Sequence, residues 1–194
     1  MKSGTTLFSI IAILLLGCNN DTHSDTEIKI LNSNFLAITD TLAYKYNTLR
    51  PPGNYDTIVQ KDILPITVYY KLININESAP DIVHALRNAK FFEATQYLTL
   101  LNENDKDTAS ISIDNASLNN FGKFQITITK NRDFFKMEGY IGHIQFSRII
   151  FNEKLAMMTA TIKDNIKSGV EKLVLFKKND SGWNIYKEIE MVVW

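Results

Sequence analysis

The sequence predicts an α+β domain in which helices pack on one face of a curved antiparallel sheet. Three observations carry that expectation. Ile28, Leu31, Phe35, Ile38, Leu42, Tyr46 and Leu49 form one apolar stripe with the 3.6-residue period of a helix. A β-branched and aromatic run at residues 66–75 is followed by a second helical stretch. From residue 110 onward the apolar period falls to two, in segments joined by short polar connections. Helices gathered early and strands gathered late describe an α+β layout.

The chain opens with Met1-Lys2, and residues 7–16 are apolar apart from Ser9. That run is too short to cross a bilayer, which takes about 20 apolar residues. A positive start, a short apolar core and a small residue at its end describe a secretory signal peptide over residues 1–17. Leu15-Leu16-Gly17-Cys18 resembles the lipobox of bacterial lipoproteins. That resemblance implies cleavage before Cys18, a thioether-linked diacylglycerol on its sulfur and usually a third, amide-linked acyl chain such as palmitate. The alternative is a cleaved signal that leaves a free thiol. Two or more chains anchor stably because each buried methylene contributes about 0.8 kcal/mol, whereas one chain is marginal. Asn19 is not the aspartate that retains enteric lipoproteins at the inner membrane. By the same resemblance the outer membrane is the expected destination.

Cys18 is the only cysteine, so no disulfide framework is available and the domain must be held by its core. With 45% apolar residues the chain has enough material to fill one. The 21 Lys and Arg balance the 21 Asp and Glu, and only Lys2 of these lies in the leader. Such neutrality argues against nucleic acid as partner and against recruitment to a membrane by charge. Residues 18–24 read as a polar, lipidated tether and residues 25–194 as a single domain.

Within that domain, Ser24-Asp25-Thr26-Glu27 has the form of a capping box at the start of the first helix. Pro51-Pro52-Gly53 ends that helix. Too few heptads and no strict opposed charges favour a domain helix over a coiled coil. Pro65 is expected at the first position of its strand or on a sheet edge. Ser78-Ala79-Pro80-Asp81 signals the next helix, which runs to about residue 101 with a break near Asn88. Residues 102–108 read as a solvated loop. Strands are expected at residues 123–130, 143–151, 154–162, 170–178 and 183–194. Connections this short allow only antiparallel neighbours, hence a meander. In the last strand Trp183, Ile185, Ile189, Met191 and Val193 share one face, broken only by Lys187. The element order resembles the NTF2-like fold, in which a long first helix closes a bent sheet, with a cystatin-like layout as the competitor. Neither carries a function with it.

Residues with chemical potential are few. There is no P-loop, dinucleotide-binding glycine pattern, nucleophile elbow or HExxH. Among the three histidines, His23 falls in the tether, His84 lies three residues after Asp81 on a helix, and His143 follows Gly142 at a strand start. No metal centre is expected, since zinc wants three or four convergent ligands and at most two are in view. No cofactor motif is visible. Arg148 shares a parity row with Ile144, Phe146 and Ile150, and Lys187 interrupts an apolar face. If both point into the bend of the sheet they form, with His143, a binding site for a carboxylate or phosphate. The alternative has their stems lying over apolar surface with heads in water, or Arg148 paired with a glutamate.

Asp40-Thr41-Leu42, Asp56-Thr57-Ile58 and Asp107-Thr108-Ala109 each resemble the acceptor tripeptide for O-glycosylation in exported proteins of Bacteroidota. Thr57 and Thr108 fall in expected loops and are the candidate acceptors; Thr41 falls within the helix. The stretch from Phe146-Ser147-Arg148-Ile149-Ile150-Phe151-Asn152 to Gly182-Trp183-Asn184-Ile185 resembles the C-terminal part of lipid-anchored proteins of that phylum, which implies no activity. The expectation is a lipid-anchored cell-envelope binding or interaction protein with an envelope protein as partner, rather than an enzyme. The alternative is a small-ligand-binding protein or enzyme using a pocket in the bent sheet. A filled interior would favour the first and a deep polar-lined cavity the second.

Overall fold

The computed structural model describes residues 23–48, 64–104, 110–114, 117–118, 122–132, 140–165 and 168–193. The leader, Cys18, Thr57 and Thr108 lie outside these residues. Helix α1 (His23–Thr48) is followed by strands β1 (Leu64–Tyr69) and β2 (Lys71–Leu72) and a 3-10 turn at Ile75–Ser78. Helices α2 (Ala79–Asn88) and α3 (Ala94–Glu103) come next. The remaining strands are β3 (Ile111–Ser112), β4 (Phe124–Thr129), β5 (Gly142–Phe146), β6 (Ile150–Phe151), β7 (Leu155–Asn165), β8 (Ser168–Asn179) and β9 (Gly182–Val193). The class is α+β. No helix among the described residues is long and apolar enough to cross a membrane.

The sheet has seven strands in the order β4-β1-β5-β7-β8-β9, with β6 also paired to β7. From β5 to β9 it is the expected antiparallel meander. The other half departs from expectation, because β1 pairs parallel with both β4 and β5. The long connection through α2 and α3 returns the chain to β1 in the same direction, which a short turn cannot do. Pro65 is therefore neither first in its strand nor on an edge. The N–H of Leu64 donates to Lys123 on the β4 side. The missing donor of Pro65 thus falls on the β5 side, where the ladder only begins at Ile66.

Helices cover both faces of the sheet, not one. Ile30, Leu31, Phe35 and Ile38 of α1 pack against Ile66, Val68, Ile144, Phe146, Met158, Ala160, Val174 and Phe176. Ile82 and Leu86 of α2 and Tyr97, Leu100 and Leu101 of α3 pack against Leu155, Met157, Leu173 and Leu175. Alternate residues of β7 and β8 thus feed opposite cores, which is why residues 155–160 and 172–176 are buried without a break. The tie between layers is polar as well as apolar. Asn34 donates to the carbonyl of Trp183 at 3.0 Å, and the Tyr97 hydroxyl donates to the carbonyl of Phe176 at 2.9 Å.

Two bulges reset the alternation that the sequence parity assumes. The expected single strand at residues 143–151 is interrupted at Ser147, Arg148 and Ile149, since Phe146 pairs with Ala160 but Ile150 pairs with Met157. Ile144 and Phe146 consequently face α1, while Ile150 faces α2 and α3. In β9, Ile185 pairs with Phe176 and Lys187 with Leu175, leaving Tyr186 as the extra residue. Trp183 and Ile185 therefore join the α1 core, whereas Ile189 and Met191 join the opposite one. A second shift beside Lys172 leaves Val193 largely exposed. The expected single apolar face of the last strand is split in two.

Candidate functional site

Arg148, Lys187 and His143 do not converge. At the bulge between β5 and β6 the Arg148 guanidinium turns back to Glu27, near the N-terminus of α1. Its Nη2 donates to Glu27 Oε1 at 2.6 Å and its Nε to Oε2 at 2.9 Å, a two-pronged pair. The same carboxylate accepts from the backbone N–H of Ile149 at 2.9 Å. Glu27 is fully buried and Arg148 is 5% exposed. This pair closes the bulge, because the carboxylate takes up an amide that the irregularity frees from the ladder. Arg148 is thus a buried structural cation rather than an anion receptor, as the glutamate-paired alternative has it. Helix α1 includes His23 and Ser24, so Ser24 lies within it rather than before it. Glu27, read from sequence as a capping residue, is the partner that positions Arg148.

Lys187 lies over the Phe91 ring, its Nζ 4.9 Å from the centroid, on the face of the sheet carrying α2 and α3. His143 is buried on that same face beyond the apolar core, with Nδ1 2.9 Å from Thr67 Oγ1. On the α1 side of the sheet, Ile30, Leu31, Phe35 and Ile38 pack against the strand residues.

Two openings among the described residues lie on the outside, around α2 and α3. A cleft of about 300 Å³ separates α2 from β9, with Asp81, His84 and Asn88 on one wall and Ile189, Glu190 and Met191 on the other. The spacing of Asp81 and His84 does place them together, as their helical offset predicts. The Asn88 amide lies 3.0 Å from His84 Nε2. A second groove of about 450 Å³ runs between α3 and the β6–β7 turn, lined by Gln96, Thr99, Glu103, Asn152, Lys154 and Leu155. Both openings mix apolar and hydrogen-bonding groups, as recognition sites do. Among the described residues no group of three or more His, Cys, Asp or Glu gathers to hold a metal ion.

Between the openings, the α2–α3 loop carries a cluster of aromatic and charged side chains that sequence reading missed. Lys177 Nζ donates to Glu93 Oε1 at 2.6 Å and sits 3.6 Å from the centre of the Tyr186 ring. The Tyr186 hydroxyl donates to Glu93 Oε2 at 2.8 Å. The hydrogen bonds from Lys177 and then Tyr186 hold the Glu93 carboxyl below the usual range. The bond to Glu93 raises both Lys177 and Tyr186. Beneath them Tyr97 is pushed up by burial. Phe92, next to Glu93, is 92% exposed. The available signal was Phe91-Phe92-Glu93 just after the expected helix break, but the partners of Glu93 come from β8 and β9, 84 and 93 residues away. No known protein family, no curated protein and no solved structure matches this chain.

Proposed function

We propose that this is a lipid-anchored cell-envelope binding protein, held at the outer membrane through Cys18, that recognises a protein partner with its helical layer. The observation that carries the reading is the division between a filled interior and an open exterior. On the α1 face Ile30, Leu31, Phe35 and Ile38 pack directly on the sheet, and Arg148 is paired with Glu27. The α2–β9 cleft, by contrast, sets Asp81 and His84 beside half-buried Ile189 and Met191. A rim of polar groups around apolar contacts suits a protein side chain. The lipobox, the polar tether and the absence of any nucleophile–base constellation in the sequence agree with presentation of a surface rather than with turnover.

The reading is tested by crosslinking in intact native cells followed by affinity purification. Wild type, an exported Cys18→Ala form and a cleft variant, Asp81→Lys with His84→Ala, are compared, with palmitate incorporation measured in parallel. The expected result is a near-stoichiometric partner with wild type, reduced in both variants, and palmitate on wild type and the cleft variant but not on Cys18→Ala. Recovery of the protein alone in every form would overturn the interaction reading. The α3 groove, large enough for a small molecule, supports a second reading as a ligand carrier. A metabolite co-purifying with wild type and lost in Gln96→Trp would favour it.

A further inference from the structure

We infer that, with the chain anchored at Cys18, one end of the domain lies against the lipid headgroups of its own membrane, with Phe92 in the interface. This rests on the lipid-anchored reading of Cys18 above. Four residues, Asn19 to Thr22, lie between Cys18 and His23, the first residue of α1. The five Cα–Cα steps from Cys18 to His23 can reach about 17 Å at about 3.4 Å each. The bilayer surface therefore lies near whatever surrounds the N-terminus of α1.

That neighbourhood is one continuous end of the molecule. The His23 ring stacks on Phe151 with centroids 4.2 Å apart, and Phe151 meets Trp183 edge-on at 6.2 Å. Lys178 Nζ lies 5.6 Å from the centre of the Trp183 ring. The backbone N–H of Lys178 donates to Lys154 in the β6–β7 turn. Lys177, its neighbour, binds Glu93, and Glu93 adjoins the exposed Phe92. So the α1 N-terminus, the β6–β7 turn, the β8–β9 hairpin and the α2–α3 loop meet at the end to which the tether leads.

The chemistry of that end suits a headgroup layer. Tryptophan and tyrosine rings favour the membrane interface, where one edge is apolar and the other wet. Lysines whose stems lie over those rings can extend their heads to lipid phosphates. The acidic residues Glu93, Glu153 and Asp180 share this end with Lys154, Lys177 and Lys178, so charge alone does not hold it down. The tether supplies proximity and Phe92 supplies the apolar contact. A phenylalanine exposed over 92% of its surface is costly in water and favourable in the interface.

The test uses the single cysteine. The chain from Cys18 onward, with Trp194→Phe so that Trp183 is the sole tryptophan, is coupled through Cys18 to maleimide-bearing phospholipid. The vesicles are of phosphatidylethanolamine and phosphatidylglycerol, with or without phospholipid brominated near the headgroup. This coupling imposes the anchor chemically, so the outcome is independent of whether cells lipidate Cys18. Trp183 fluorescence should be quenched by the brominated lipid. Most of that quenching should be lost in Phe92→Ser, a change at an exposed site that leaves folding intact. Hydrogen exchange of the amides at residues 91–93 and 180–183 should slow on vesicle coupling in the parent and not in Phe92→Ser. Trp183 fluorescence and exchange indifferent to coupling would overturn the inference. So would unaltered quenching in Phe92→Ser combined with loss of partner crosslinking in cells, which would assign Phe92 to a protein contact.

Discussion

Glu27 and Arg148 carry the most consequential side-chain interaction among the described residues. Both are buried, and the carboxylate serves the guanidinium and a backbone amide together. Removing one partner of a buried pair leaves the other charged in a low-dielectric site, which costs about 3–5 kcal/mol. Glu27→Ala should therefore lower the unfolding free energy by that amount, measured by urea titration followed by circular dichroism. The double change Glu27→Met with Arg148→Met removes both charges and should recover part of the loss. It should not recover all, since the Ile149 amide still lacks its acceptor, a deficit of about 1–3 kcal/mol. Tyr97→Phe, which deletes only the hydroxyl that reaches the Phe176 carbonyl, should cost about 1 kcal/mol in the same assay. Gly122 has φ +54°, and a Cβ there would come within 2.8 Å of Leu36 Cδ2. Gly122→Ala should therefore destabilise despite its exposed position.

At the scale of elements, β9 and the α2–α3 loop make distinct predictions. The Tyr186 bulge turns one apolar parity row to serve two cores. Deleting Tyr186 would rotate residues 187–193 to the wrong faces, placing Ile189 and Met191 toward α1. The deletion should abolish cooperative unfolding in a thermal scan, whereas Tyr186→Ala should shift the midpoint only modestly. The loop itself is pinned by Glu93, Lys177 and Tyr186, with Lys90 at φ +46° in the break. Glu93 titrates below its unfolded value, so its contribution is present above the unfolded carboxylate pKa and fades as pH falls through the folded one. Lys177 and Tyr186 titrate above theirs, so their contribution is full below the unfolded values and fades as pH rises through the folded ones. Hydrogen exchange at residues 90–93, corrected for its intrinsic pH dependence, should show greatest protection between these limits. Glu93→Gln should remove the acid-side loss, and an unchanged acid profile would refute the assignment.

For the whole molecule, the sheet is the partition between two cores that share β7 and β8. Because the same strands present alternate side chains to both, neither core can melt without exposing the other. Val174→Ala, facing α1, and Leu173→Ala, facing α2 and α3, should each cost roughly 1–4 kcal/mol and lower one common transition. Separate transitions by calorimetry would show two independent units instead. A sheet covered on both faces leaves its edges, its ends and the helical exteriors as the outer surfaces of the molecule. The openings beside α2 and α3 and the aromatic end near α1 occupy those places.

The sequence by itself determined what depends on near neighbours along the chain. The stripe of Ile28, Leu31, Phe35 and Ile38 specified α1, Pro80 marked the start of α2, and the break near Asn88 divided α2 from α3. The turn at Asn179-Asp180-Ser181-Gly182 closed the β8–β9 hairpin with Gly182 at φ +113°. Each follows from local periodicity, capping or turn chemistry. Only the tertiary structure decided which face each strand residue occupies, because parity survives only until a bulge. One extra residue at Ser147–Ile149 and another at Tyr186 sent Ile150, Ile189 and Met191 to the opposite core and turned Arg148 back to Glu27, 121 residues earlier. Alternation along a strand is a local rule, whereas the choice of core and ion-pair partner depends on packing between segments distant in the chain.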